Sequence, residues 1–278
     1  MRKLPLTLLL VDSIPANIYL AVLNENNLKP NKIIRIASCG TGSKAKLVSK
    51  FFGRFLGFYI IKLLKKIKVS RVLNTKYERS AAKILSNFQL SNDDLKKCLK
   101  GYSRNEVETV YCNSINDTSV KRVLEKDKNK VFLFTGGGIL SDEILNTLDS
   151  KFFHIHPGIV PDIRGADCFF WSCLIKGRPG YSVFYMNSGI DTGDILYRRE
   201  YEADFSYLEN DSLSAAQLKD LILSYYDPCL RITSFIEMLK ELSSFDFENN
   251  SLSNLPTKPQ SEEEGRMYFF MHNLLVEE

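Results

Sequence analysis

"LTLLLVDSIPANIYLAVLNE", residues 6–25, decides the fold class. Its first half is an almost continuous apolar run that stops at Asp12 and Ser13. A run without polar alternation is what a parallel strand buried on both faces requires. Pro15 then suits the first turn of a helix, where its missing N–H is not needed, and "ANIYLAVLNE" carries apolar residues at helical spacing. The basic start and apolar run imitate a signal peptide. Asp12 interrupts that run and no small-residue cleavage site follows, so the stretch reads as a buried first strand, a turn and a helix.

The same alternation continues along the chain. "NKIIRIASC" (31–39), "VETVYC" (107–112), "KVFLFTGG" (130–137) and "KFFHIHPG" (151–158) read as strands. "TSVKRVLEKDKN" (118–129) reads as an amphipathic helix, and "SDEILNTL" (141–148) as a helix with Ser141 as N-cap and an acidic first turn. "ADCFFWSCLIKG" (166–177) is helical and stops at Gly177; "YSVFYMN" is a strand, and "GIDTGDILYRREY" (189–201) a turn leading into another. This order predicts an α/β fold with a Rossmann-like, doubly wound, mostly parallel sheet. Ligands bind such sheets beyond the carboxyl ends of the strands, which singles out His154, His156, Gly136–Gly138 and the Asp191–Asp194 turn.

After Leu208 the pattern changes. "DSLSAAQLKDLILSYYDPCLRITSFIEMLKEL" (211–242) reads as one helix or two, broken near Asp227-Pro228, followed by a polar loop from Ser243 to Gly265 and a closing "RMYFFMHNLL". The expected division is a catalytic domain over residues 1–205 and a short, mainly helical appendage over 206–278, through which the chain would form a homodimer.

Composition narrows the class. Of 278 residues, 44% are hydrophobic and 25% charged, an ordinary globular balance. Six scattered cysteines read as reduced structural thiols, which places the protein in the cytoplasm. The net charge of +4 is too mild to imply nucleic acid, and no uninterrupted apolar stretch is long enough to span a bilayer. Residues 41–77, however, hold ten lysines and arginines and no acid. Around "FFGRFLGFYIIKLLKKI" two readings stand: a core-packed helix with its lysines in water, or a surface for a diphosphate-bearing substrate or an anionic membrane.

"FFHIHPGIVPDIRG", residues 152–165, contains two of the three histidines of the chain. On a strand, residues i and i+2 share a face, so His154 and His156 could ligate a metal together. A third ligand would have to come from Asp191, Asp194, Cys168 or His272. No familiar metal spacing is present, and none is expected to be bound. The other readings are two satisfied core histidines, or a catalytic pair held at a strand end by Pro157-Gly158.

"FLFTGGGIL", "HIHPGIVPDIRGADCFFWSCLIKG" and "YSVFYMNSGIDTGDIL", taken together, resemble the folate-dependent formyltransferase family, which includes glycinamide ribonucleotide transformylase, methionyl-tRNA formyltransferase and the sugar N-formyltransferases. The resemblance covers roughly residues 5–200. It implies 10-formyltetrahydrofolate as formyl donor, with the backbone of Gly137, Gly138, Ile139 and Leu140 and the loop at Ile190 holding the pterin. It also implies His156 as the family histidine and Asp191 as the family aspartate. The family has asparagine where this chain has His154. An amide offers two N–H donors and an acceptor; neutral imidazole offers one of each. His154 is expected to polarise the formyl oxygen in the amide's place.

The chain lacks the glycine-rich loop after the first strand that marks the glycinamide ribonucleotide enzymes. Its Ser13-x-Pro15 arrangement is nearer the methionyl-tRNA and sugar enzymes, and Ser13 is a candidate substrate contact. The tail after Leu208 is too short and helical for a tRNA-binding barrel. The expected acceptor is thus a small-molecule amine, foremost a nucleotide-linked amino sugar. Arg164 is a candidate substrate contact or a structural salt bridge. The alternatives are a 10-formyltetrahydrofolate hydrolase, another one-carbon transferase, and a non-catalytic folate-binding or scaffold relative.

Overall fold

The computed structural model describes residues 1–70, 75–206, 208, 213–242, 252–261, 263–272 and 275. β1 (Arg2–Val11) lies near the middle of the sheet, with Leu6, Leu8, Leu9 and Leu10 fully buried. The unbroken apolar run of the sequence is thus a strand covered on both faces. In chain order there follow α1 (Ile14–Glu25), β2 (Leu28–Ser38), α2 (Ser43–Ser70), α3 (Thr75–Asn87), α4 (Asn92–Lys97), β3 (Val107–Cys112), α5 (Thr118–Lys126), β4 (Val131–Phe134), α6 (Asp142–Leu145) and β5 (Lys151–His156). Then come β6 (Ile163–Gly165), α7 (Cys168–Lys176), β7 (Gly180–Tyr185), β8 (Ile195–Glu200), α8 (Ala215–Leu221), α9 (Asp227–Glu241) and β9 (Arg266–Tyr268).

Seven strands form one sheet in the order β3-β2-β1-β4-β5-β7-β8. β3, β2, β1, β4 and β5 run parallel, β7 is antiparallel to β5, and β8 is antiparallel to β7. The direction of strand addition reverses at β1, so the ends of β1, β4 and β5 open onto a crevice. Helices cover both faces. α1, α3 and α9 share one apolar core with Leu8, Leu10, Phe153 and Ile155. α5 and α6 pack against Leu9, Ile36, Phe132 and Phe152 on the other.

Three expectations change. The break predicted at Asp227-Pro228 is absent: α8 passes through a π-helical turn, Ile222–Tyr226, directly into α9. Proline cannot supply the i→i−4 hydrogen bond, and the wider turn accommodates the missing bond without ending the helix. α9 then buries Ile232, Phe235 and Ile236 in the main core, Phe235 meeting Phe153 edge-on at 5.4 Å. Second, α3 and α4 fill a stretch in which no element was read; the reciprocal Ser91–Asp94 capping box starts α4.

Third, α2 is not packed in the core. Phe51, Phe52, Phe55, Leu56, Tyr59, Leu63 and Leu64 are 48–74% exposed. The helix kinks at Gly53 (φ 69°) and is anchored by Phe58, buried against Ala37 and Cys39, and by the Lys62–Asp12 ion pair at 2.7 Å. Arg71 of the basic stretch, and residues 243–251 and 262 of the predicted polar loop, lie outside the described residues. All six cysteines are unpaired thiols, and among the described residues no helix is long and apolar enough to cross a membrane.

Candidate active site

β5 pairs His154 with Phe184 and His156 with Ser182 of β7, so both imidazoles stand on one face at the carboxyl end of the parallel strands. Asp191 reaches them from the turn before β8, in the left-handed region at φ 56°. That turn is wrapped tightly. A Cβ on Gly193 would lie 1.7 Å from the carbonyl oxygen of Tyr185, so only glycine fits there. The three side chains form the floor of a cavity of about 520 Å³. Its rim carries Gly137, Gly138, Ile139 and Leu140 on one side and Asn187, Gly189 and Ile190 on the other. Ile139 and Ile190 are 66% and 46% exposed, two apolar side chains facing an open mouth.

His156 is held in one tautomer. Its Nε2 lies 3.0 Å from the carbonyl oxygen of Ile163, which can only accept, so the proton sits on Nε2. The other nitrogen, Nδ1, faces Asp191 Oδ2 at 3.4 Å. Asp191 Oδ2 is itself fixed by the backbone N–H of Gly165 at 2.9 Å. Burial lowers the pKa of His156 below the ordinary histidine value, and the nearby Asp191 carboxylate offsets part of that shift. His154 is pushed further, down to about 3, by burial above all, again against the pull of Asp191. Its ring packs edge-on against Phe184 at 5.5 Å, and its Nδ1 is buried without a hydrogen-bond partner.

Several residues of the site carry no signal that the sequence reading recognised. Arg231 of α9 lines the cavity, locked by Asp227 Oδ2 through Nε at 2.8 Å and Nη2 at 2.5 Å. Its Asp-x-x-x-Arg spacing is visible in the sequence, but on a helix that usually marks a solvated pair. The C-terminal strand β9 returns to pair with β6 and brings Met267, Tyr268, Phe269 and Phe270 to the cavity wall. The strap is tied down by Trp171 Nε1 donating to the Phe269 carbonyl (2.8 Å), Lys219 Nζ to the Met271 carbonyl (2.7 Å) and the Met271 N–H to Asp167 (3.0 Å).

Every residue that the sequence suggested for the reaction and the pterin, namely His154, His156, Asp191, Gly137, Gly138, Ile139, Leu140 and Ile190, borders this one cavity. The two substrate candidates do not. Ser13 is the N-cap of α1: its Oγ accepts from the Ala16 N–H and donates to the Val11 carbonyl, so its hydroxyl serves the strand–helix turn. Arg164 is 3% exposed and donates to Gln260 Oε1 (3.0 Å) and the Ser261 carbonyl (2.6 Å). Gln260 in turn donates to the carbonyls of Asp191 and Gly193 at 3.1 and 2.6 Å. Arg164 thus braces the turn that holds Asp191 from behind.

Residues 86–219 match the family model described as formyl transferase. The match covers a little under half of the chain, and over it the chain resembles formyl transferases. The matched stretch contains every cavity residue named above except Arg231 and the C-terminal strap. Methionyl-tRNA formyltransferase of Syntrophus aciditrophicus is 35% identical over 89 residues, 31% of this chain and 28% of that protein. Cytosolic 10-formyltetrahydrofolate dehydrogenase of Pongo abelii is 36% identical over 74 residues, 26% of this chain and 8% of that protein. The chain therefore matches less than a third of the length of either curated relative. Among solved structures, a sugar N-formyltransferase from a Shewanella species aligns over 94% of this chain and 75% of its own, at 14% identity and a TM-score of 0.45.

Proposed function

We propose that this protein transfers a formyl group from 10-formyltetrahydrofolate to the amine of a small-molecule acceptor, a nucleotide-linked amino sugar. The observation that carries this reading is the convergence of His154, His156 and Asp191 on the floor of a single cavity in the stretch that resembles formyl transferases. The cavity volume falls in the usual range for a small-molecule site. Gly137 and Gly138 leave open space where side chains would stand, so their backbone is accessible to the polar edge of a pterin. Ile139 and Ile190 offer apolar flanks for its rings.

The folate would supply the formyl carbon: attack by the amine forms the new C–N bond, places negative charge on the formyl oxygen and frees a proton from the attacking nitrogen, and collapse breaks the C–N bond to the folate, whose nitrogen takes up a proton as tetrahydrofolate leaves. His156 is suited to take that proton. Burial keeps it neutral, its Nε2–H is committed to Ile163, and its Nδ1 lone pair is the basic site. The imidazolium that forms has Asp191 at 3.4 Å to stabilise it. His154, also neutral, has one N–H with which to polarise the formyl oxygen. A donor fixed at such an oxygen is worth ~3 kcal/mol, or about a hundredfold in rate. The C-terminal strap narrows the mouth with Met267–Phe270, which suits a small acceptor.

Incubation with 10-formyltetrahydrofolate and a panel of nucleotide-linked amino sugars tests the reading. Release of tetrahydrofolate should require the amine; release in water alone would replace transfer by hydrolysis. His156→Ala should abolish turnover with the fold retained, and substantial residual activity would remove His156 from this role.

The outer face of α2 supports a second partner, an anionic membrane surface. Leu56 and Leu63 lie on the side of the helix away from the buried Phe58 anchor, and Phe55 and Tyr59, each about half exposed, flank the packed side and meet Tyr111 of β3 at 4.9 and 6.4 Å. Lys44, Lys46, Lys50, Arg54 and Lys62 belong to the same helix. An apolar stripe flanked by cations is the pattern of a helix that lies in a lipid interface. Sedimentation with phosphatidylserine-containing vesicles at low salt should capture the protein, and Leu56→Ser/Leu63→Ser should release it. No capture at low salt would end this part of the reading.

A further inference from the structure

His154, His156 and Asp191 each turn one possible ligand atom into the same small volume, and these atoms lie within 4.8 Å of one another. Hydrogen-bonding logic makes that arrangement unusual. With the proton of His156 committed to Ile163 through Nε2, Nδ1 of the neutral ring presents a lone pair. It faces a carboxylate oxygen, a second acceptor, at 3.4 Å. Nδ1 of His154 is buried and makes no hydrogen bond. A cation between His156 Nδ1 and Asp191 Oδ2 would satisfy both acceptors, and a ring nitrogen of His154 lies within reach of the same point. A proton can join one pair of these atoms; it cannot satisfy three.

We propose that His154, His156 and Asp191 bind one divalent transition metal of the Zn²⁺ class. The distances suit it. Nitrogen and oxygen ligands at ~2.0–2.1 Å around a tetrahedral zinc stand about 3.4 Å apart, which is the His156–Asp191 separation. The two separations that involve His154 also lie inside 4.8 Å. The surrounding groups have the right polarity as well. A ligating histidine commonly donates its other N–H to a carbonyl, as His156 does to Ile163, and a ligating carboxylate is commonly held by a hydrogen bond, as Asp191 is by Gly165.

Close packing preserves this geometry. A Cβ on Gly158 would lie 2.5 Å from the Ile163 oxygen and 2.8 Å from His156 Nε2. Two imidazoles and one carboxylate select borderline metals over Mg²⁺ or Ca²⁺, which take oxygen ligands. Three protein ligands leave a fourth position, and here it opens into the cavity. The sequence left Asp191 as one of four possible third ligands without a familiar metal spacing, and the fold is what brings it to the histidines. A bound metal occupies the Nδ1 lone pair that the free imidazole offers as a base, so the metal-loaded protein is a different form from the one that carries out the transfer proposed above, and metal binding does not depend on that reading.

The test is a titration of chelator-stripped protein with Zn²⁺ followed by calorimetry, and with Co²⁺ followed by its visible spectrum. One equivalent should bind, with the intense visible bands of a four- or five-coordinate Co²⁺ centre. His154→Asn and Asp191→Asn should each weaken binding by more than about tenfold, since even second-shell losses cost ~10–100-fold. Circular dichroism would establish that both variants fold. Cys168→Ser, which changes a cavity thiol outside the triad, should leave the affinity intact. Failure to bind a stoichiometric metal overturns the proposal. So does binding that survives both triad substitutions, or binding that is lost in Cys168→Ser.

Discussion

The pair of Asp227 and Arg231 makes the fold sensitive to a single substitution. Asp227 is 1% exposed and Arg231 keeps a fifth of its side-chain surface, on the cavity. The carboxylate receives two hydrogen bonds from Arg231 through Oδ2 and one from the Tyr181 hydroxyl through Oδ1, at 3.0 Å. Arg231 Nη1 reaches the carbonyl of Ile155, between the two histidines. The pair therefore ties α9 to β7 and to the strand that carries the site. Asp227→Ala would leave a guanidinium in the core without its counter-ion, at a cost of ~3–5 kcal/mol. The orphaned Tyr181 hydroxyl adds ~1–3 kcal/mol.

Against a total stability of ~5–15 kcal/mol for a domain, that is a severe loss. At ~2–4 °C per kcal/mol for a chain of this size, the melting temperature should fall by roughly 10 °C or more. The double variant Asp227→Leu/Arg231→Met removes both charges at similar volume and should recover most of the loss. Urea denaturation of the wild type, both single variants and the double variant closes the cycle, with an expected coupling above ~2 kcal/mol. A single Asp227→Ala cost below ~1 kcal/mol, or a double variant no more stable than the singles, would refute the argument that the charge of Arg231 depends on Asp227.

Two further outcomes follow from the site. Gly158→Ala should push the His156 ring and Ile163 apart, breaking the Nε2 hydrogen bond, and should cost turnover well beyond its effect on melting; steady-state kinetics beside a thermal melt checks this. Activity should persist below pH 6.5 before an acid limb appears, because burial lowers the pKa of His156 and brings His154 down to about 3. The same shift acts on stability. As pH falls below 6.5 the unfolded chain protonates His154 first, so stability declines from there toward about pH 3, by up to ~1.4 kcal/mol per pH unit for this one group. His154→Asn should flatten that dependence in denaturant melts across the window, and unchanged slopes would contradict it.

How far the sequence could be read depends on whether an element's fate is local. β1, β4 and β5 are legible because burial on both faces forces apolar residues into short runs that turn chemistry then ends. The floor of the cavity is legible because β5 carries two histidines at strand spacing and the glycine-flanked Asp191 turn leads into the edge hairpin. The wall formed by β9 is not. Nothing periodic marks residues 266–271; Asp167, Trp171 and Lys219, distant in sequence, specify where they lie. α2 misleads for the opposite reason. Its density of phenylalanine and leucine at helical spacing is ordinarily the mark of a core, and only tertiary structure shows that Phe58, with Ile61 beside it, is the buried part while most of its neighbours stay exposed.

His154 gains its meaning from this contrast. Phe134 and Phe184 flank its ring, with centroids 6.4 and 5.5 Å away, so the position is shaped for a flat aromatic side chain. An asparagine there would leave unfilled space between the two rings. The site thus gives up an amide with two donors and gains a neutral imidazole that is held by packing and retains an unpartnered nitrogen. Such a group is a weaker hydrogen-bond clamp for a formyl oxygen and a better ligand for a metal ion. The His154→Asn variant, measured once for formyl transfer and once for Zn²⁺ binding, separates these two consequences. Packing predicts a loss of stability in either case, whereas only the metal reading predicts that the affinity for zinc falls with it.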